Sequence, residues 1–147
     1  MDTKREEVKI FLSNNYLASV STVSPQREPQ VAVVLYYSDD DLNLYFVTRE
    51  HTRKAINLKS NKKVGIAIGN DRFPGTIQLQ GEAESKPEYI GEFVKKLRER
   101  SDLNDFYSGP FLKVRGLDFQ VFKITPNWLR YINLDPATGL EESYQII

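Results

Sequence analysis

A mainly β chain with flanking helices, its strands closing as an antiparallel barrel, is the fold class this sequence predicts. Three observations carry the reading: six or seven segments have strand character, three show helical spacing, and most joints between them are short turns. A length of 147 residues suits one domain, spanning 1–147, that buries roughly two-thirds of its unfolded surface.

The elements follow in order. Thr3 to Asn14 reads as a helix, with Thr3 and Glu6 at capping-box spacing and Val8, Phe11 and Leu12 as a narrow apolar stripe. Leu17 to Val23 is a strand with small residues (Ala18, Ser19, Ser21) on both faces, which suits close approach of another backbone or a ligand. Ser24 to Pro29 is turn chemistry. Gln30 to Tyr37 is apolar on both faces, which predicts a central, fully buried strand. Ser38 to Asp41 is the next turn. Its aspartates lack the alternate spacing, the glycine and the distal glutamate of a calcium loop, so they read as hairpin residues.

Asn43 to Thr48 is a strand, with Leu44, Phe46 and Thr48 on one face and Tyr45 and Val47 on the other. The period then changes. Thr52, Ala55, Ile56 and Lys59 follow at helical spacing, with Leu58 beside them. Lys63 to Gly69 is a strand, and 70–75 is a loop. Thr76 to Ala83 is another strand, in which Ile77, Leu79 and Gly81 alternate with Gln78, Gln80 and Glu82. Ser85, Pro87 and Glu88 open a third helix whose core face is Ile90, Phe93, Val94 and Leu97. Residues 101–116 read as irregular and 118–125 as a strand. Pro126-Asn127 is expected to turn the chain into a last strand, Trp128 to Asn133, leaving 134–147 as a C-terminal tail.

Composition narrows the chemistry. Lys plus Arg equals Asp plus Glu at 20 each, so no global field recruits nucleic acid or an anionic membrane. Absence of cysteine excludes disulfides, thiolate nucleophiles and cysteine-held metals, and one histidine cannot form a multi-histidine site within one chain. The opening residues lack a signal-peptide core and no apolar run would span a bilayer, so a cytoplasmic protein is the default.

Local anion binding is another matter. Thr48, Thr52, Arg53 and Lys54 all fall where a strand gives way to a helix. A helix start leaves backbone N–H donors unpaired and carries the positive end of the dipole. Two hydroxyls and two cations around it make a phosphate pocket, though solvated basic residues at a surface helix would read the same way.

The segment Thr48-Arg49-Glu50-His51-Thr52-Arg53-Lys54-Ala55, after a Tyr/Phe-rich strand, resembles the FMN-phosphate segment of the pyridoxamine 5'-phosphate oxidase-like split-barrel flavoproteins. Leu17–Val23, the Pro29-led run to Tyr37, Asn61–Ile68 and Ile77–Glu84 resemble neighbouring segments of that family in the same order. The resemblance implies an antiparallel split β-barrel, an FMN-binding homodimer with the cofactor at its interface, and an oxidoreductase acting on a small molecule. It implies that Thr48, Thr52, Arg53 and Lys54 hold the phosphate and that backbone groups of Val33, Val34 and Leu35 meet the flavin edge. Val47 would lie beside the ring, Thr76 would reach the cofactor, and Trp128 would stack near it from the partner chain. A homodimer is also the reading of Val31–Tyr37, apolar on both faces, in a chain rich in aromatic residues.

The chain also departs from the family pattern. Val31-Ala32 stands where oxidases of pyridoxamine phosphate carry an arginine, no histidine follows His51, and Arg130 has no histidine companion. The resemblance is therefore to small, general-stress-type members rather than to an enzyme making pyridoxal phosphate. No catalytic residue and no metal ligand is singled out. His51 has a pKa suited to proton donation, yet a histidine in a first helical turn commonly lies on the surface. Two other classes stay open: a non-catalytic flavin-binding or sensing protein, and the same barrel holding haem or a deazaflavin.

Overall fold

The computed structural model describes residues 3–69, 75–100, 119–135 and 137–147. The readings for 70–74 and 101–116 lie outside them. Seven strands and three α-helices follow in the order α1 (Thr3–Asn14), β1 (Leu17–Val23), β2 (Pro29–Ser38), β3 (Leu44–Arg49), α2 (Arg53–Ser60), β4 (Lys63–Gly69), β5 (Gly75–Ser85), α3 (Ile90–Arg98), β6 (Phe119–Leu134) and β7 (Glu141–Gln145). The sheet order is β3-β2-β1-β4-β5-β6-β7, and a further β3–β6 pairing closes six strands into an antiparallel barrel, with β7 added outside the ring. The barrel expected from the sequence is the one observed.

Strand alternation explains the interior. Ala18 and Val20, Val34 and Tyr36, Leu44 and Phe46, Val64, Ile66 and Ile68, and Ile77 and Leu79 all turn inward to one buried cluster. Helix α1 adds Val8, Phe11 and Leu12, held where the Tyr36 hydroxyl donates to the Leu12 carbonyl at 2.8 Å. Each such buried apolar side chain contributes roughly 1.5–3 kcal/mol. A second cluster lies outside the ring, where α3 packs Phe93 and Leu97 against Tyr45 and Val121. Arg100 fastens the end of that helix, donating from Nη1 to the Asn15 carbonyl at 2.8 Å.

Four expectations change. Ser85 and Glu88 make no capping box: a 3-10 turn, Pro87–Tyr89, precedes α3, and no side chain caps either. Pro126 and Asn127 do not separate two strands but lie inside the 16-residue β6. Gln80 pairs with Trp128 and Gly81 with Pro126, so Asn127 is the extra residue of a bulge, a place where a strand tolerates proline. Gly81 allows it, since a Cβ there would stand 2.5 Å from the Thr125 carbonyl oxygen. The segment read as a tail contains β7, paired with residues 130–134. Finally, β2 is not fully buried. On its inner face Val34 and Tyr36 are buried, and on its outer face Leu35 and Tyr37 pack under α3, but Val31 and Val33 are 67% and 65% exposed, because no described element covers that end of the outer face.

Candidate functional site

The site is built where β3 runs into α2. Thr48 ends the inward face of β3 and is buried, while Thr52 caps α2. Thr52 Oγ donates to the Arg49 carbonyl at 3.0 Å and accepts the Ala55 N–H at 3.3 Å. Its one proton being engaged, the 2.9 Å contact between the two threonine hydroxyls is a donation from Thr48 to Thr52. Both hydroxyl protons thus lock the junction, and a phosphate arriving here would draw on them only by exchange. The N–H groups of Arg53 and Lys54, in the first turn, have no intrahelical acceptor. Arg53 is exposed and Lys54 half-buried. Burial lowers the Lys54 pKa from the ordinary lysine value with no compensating charge, the condition that a nearby anion would relieve. His51 is exposed in the turn before the helix.

The helix is anchored by a residue the sequence reading passed over. Asn57 is buried and donates from Nδ2 to Thr22 Oγ on β1 at 3.0 Å and to Gln30 Oε1 on β2 at 3.1 Å. The expected apolar stripe of α2 is correspondingly rotated: Ala55, Asn57 and Leu58 are buried, and Ile56 is 50% exposed. An asparagine amid a charged helix gives no pattern signal. Only its cross-strand partners reveal it.

Beside the junction the β2–β3 ladder is short. Only Tyr36, Tyr37 and Ser38 pair with β3, and the Val47–Arg49 end of β3 pairs with β6 alone. The Tyr36 N–H donates to the Tyr16 carbonyl at 3.0 Å, which sets the alternation along β2. Val34, opposite Ala18, directs its backbone polar groups to β1. Val33 and Leu35 direct theirs to the side where β3 has parted. Of the three β2 positions expected to meet a ligand edge, Val33 therefore offers both backbone groups to the opening, and Leu35, whose carbonyl flanks the last β2–β3 pair, offers its N–H.

The remaining candidates are more dispersed. The Leu35 and Val47 side chains pack against the cluster under α3, and the Val34 side chain is in the barrel core. Val33 and Thr76 line one open cavity of about 440 Å3 on the outer sheet face, with Leu17, Ser19, Ala67 and Gln78. Trp128 lies on β6 opposite Gln80, with the Arg130 guanidinium 5.6 Å from its ring centre. Thr48, Thr52, Arg53 and Lys54 stand together. Thr76 and Trp128 belong to another part of the same chain. Of the three adjacent aspartates, Asp39 has a structural task. Asp39 accepts from the Asp41 and Asn43 N–H groups, Asn43 Nδ2 and the Tyr45 hydroxyl, at 2.9–3.0 Å, and holds the β2–β3 turn.

Among the described residues no helix is long and apolar enough to cross a membrane. Comparison with curated proteins finds no match. Solved structures do resemble the fold. General Stress Protein 26 of Bacillus anthracis superposes with a TM-score of 0.69 at 19% identity, covering 99% of this chain and 100% of its own. HutZ, the haem-storage protein of Vibrio cholerae, gives 0.67 at 19% identity, covering 84% and 91%. A haem-binding protein of Mycobacterium smegmatis gives 0.68 at 15% identity, covering 98% of this chain and 58% of that one. At such identities these likenesses speak for the split-barrel fold alone. The sequence goes further, because residues 5–133 match the profile of the family described as pyridoxamine 5'-phosphate oxidase. The chain belongs to that family.

Proposed function

We propose that this protein binds FMN at the β3–α2 junction and uses it as an oxidoreductase on a small molecule. The observation that carries the reading is the junction itself, where a helix start with two cations adjoins a strand whose ladder has parted. The N–H groups of Arg53 and Lys54, with their side chains, would hold the phosphate, and Thr48 and Thr52 would turn their hydroxyls to it. Backbone groups of Val33 and Leu35 would meet the polar edge of the ring. A bound flavin supplies the redox chemistry, and the protein supplies binding, orientation and electrostatics.

The exposed valines of β2 support a homodimer. Val31, Val33 and Leu17 form an apolar strip on adjacent strands, next to the small residues Ser19, Ser21, Gly65 and Ala67. A second copy on this face would bury it, and Thr76 and Trp128 would meet the cofactor from across the interface, as expected of a site shared by two chains.

Haem is the second reading, favoured by the likeness to HutZ and to the mycobacterial haem-binding protein. The absorption spectrum of the protein as purified separates the two. Flavin bands, with FMN released on denaturation, support the proposal. A Soret band with no flavin would overturn it in favour of haem.

A further inference from the structure

The β3–α2 junction lies at the end of β3. A different cavity opens beside the start of that strand, under the first turn of α3, with a volume of about 490 Å3. Three tyrosines line it: Tyr37 on β2, Tyr45 on β3, and Tyr89 in the 3-10 turn before α3. Tyr37 and Tyr45 are a direct cross-strand pair, and their rings stack with centres 4.6 Å apart. Tyr89 tilts against Tyr45 at 5.1 Å, and buried Phe93 of α3 meets Tyr37 at 5.5 Å. The wall is therefore aromatic and fixed by packing.

The rest of the lining is unequal in charge. Asp39, Asp40, Glu88 and Glu92 share it with one cation, Lys96. Asp39 is saturated, since its two oxygens accept four donors from the β2–β3 turn and Tyr45. Among the described residues the carboxylates of Asp40, Glu88 and Glu92 accept no hydrogen bond, and none of the four is in an ion pair. The tyrosines register the excess. Burial raises the Tyr37 and Tyr45 pKa values, and the charges of Glu92 and Asp39 at Tyr37, and of Asp39 at Tyr45, push the same way.

Two properties select a ligand. Aromatic faces attract cations through their quadrupole, and carboxylates with open lone pairs take charged N–H donors. A bare metal ion does not fit, because among the described residues no three Asp, Glu or His side chains stand close enough to hold one. The volume is that of a small-molecule site.

We propose that this cavity binds a small organic cation, an ammonium on an apolar body, with the body against the tyrosines and the ammonium on Glu88 and Glu92. None of these residues is a cofactor candidate, so the proposal does not rest on the FMN reading.

The probe is 2-phenylethylamine, protonated at neutral pH, with neutral 2-phenylethanol as control, titrated calorimetrically into the full chain as purified. The parent should bind the amine at least about fivefold more tightly than the alcohol, and added salt should shrink that preference. Glu88→Gln combined with Glu92→Gln should weaken the amine by about fivefold or more and leave the alcohol unchanged. Tyr89→Leu should weaken both ligands, because the wall serves the body. Lys96→Gln removes the competing charge and should tighten the amine about twofold or more. A gain of affinity cannot come from misfolding, so this variant decides should the others fail to fold. Amine binding no tighter than alcohol binding in the parent would overturn the site. So would amine affinity within twofold of the parent in the double glutamine variant, or unimproved by Lys96→Gln. Tighter binding of Nα-acetyl-lysine methylamide than of 2-phenylethylamine would also overturn it, because the cavity would then be a seat for a protein lysine.

Discussion

Two seams of this barrel differ sharply. Between β5 and β6 the ladder runs from Gly75 to Ser85, interrupted only by the bulge at Gly81. Between β2 and β3 it stops after Tyr36 meets Phe46. The long seam satisfies its backbone internally and buries Ile77, Leu79 and Leu129 behind it. The short seam leaves backbone groups of Val33 and Leu35 facing an opening beside a helix start. Continuous pairing supplies stability, and its interruption supplies donors and acceptors for a ligand.

That contrast can be broken by substitution. The largest effect is expected at the closed side: Phe122→Ala, which removes a buried ring stacked 5.3 Å from Phe46, should destabilise by about 3–5 kcal/mol in denaturant melts. On the open side, Val33→Ala should move monomer stability by less than about 0.5 kcal/mol, because the side chain is exposed. Comparable losses at the two positions would refute the distinction. Gly81→Ala comes next, at about 3 kcal/mol, since the added methyl meets the Thr125 carbonyl and the bulge must move. A neutral Gly81→Ala would mean that the bulge has room the geometry does not show.

Asn57→Ala sharpens the comparison from the other direction. It strips Thr22 and Gln30 of the amide that joins α2 to both strands, at a cost of about 2 kcal/mol. It should also weaken FMN more than riboflavin, because the helix start that faces the phosphate is loosened. Equal weakening of both ligands would reduce Asn57 to a general stability residue.

How much of this was readable beforehand follows from what each signal measures. Alternation placed β1, β4 and β5 almost to the residue, because each buries one face and leaves the other more open, and strand-forming residues placed β3, which is buried on both faces. The same logic misread β2. Apolar residues on both faces announce burial on both, and among the described residues α3 covers the outer face only at Leu35 and Tyr37, so Val31 and Val33 remain outside. Pro126 was read as a breaker because its permission to stay in a strand comes from Gly81, 45 positions earlier. Strand β7 was invisible because its Glu-Glu-Ser-Tyr-Gln run is polar and pairs on one side only. At the site, residue types at the β3–α2 junction were legible from local order. The engagement of both threonine protons and the burial of the Arg130 Nε were not, since they depend on side-chain geometry that no pattern encodes, nor was the Asn57 anchor, whose partners lie 35 and 27 positions away.

Lys54 adds a pH dependence. Burial lowers its pKa in the folded protein, so the charged form opposes folding at neutral pH and that opposition fades as pH rises through the folded pKa. A phosphate beside it favours the charged form. FMN affinity should therefore fall as pH rises from neutral into the alkaline range, and Lys54→Met should flatten that slope. A slope unchanged by Lys54→Met would remove the lysine from the site.

The most direct measurement is a pair of calorimetric titrations, FMN against riboflavin, on the parent, Arg53→Ala and Lys54→Ala. Charge-assisted bonds to a phosphate are worth about 1.5–3 kcal/mol each, or roughly tenfold to a hundredfold in affinity. The parent should bind FMN at least tenfold more tightly than riboflavin, and each variant should lose most of that preference while its riboflavin affinity and melting temperature hold. Equal affinity for the two ligands in the parent, or FMN affinity within twofold of the parent in both variants, would contradict a phosphate site at the β3–α2 junction.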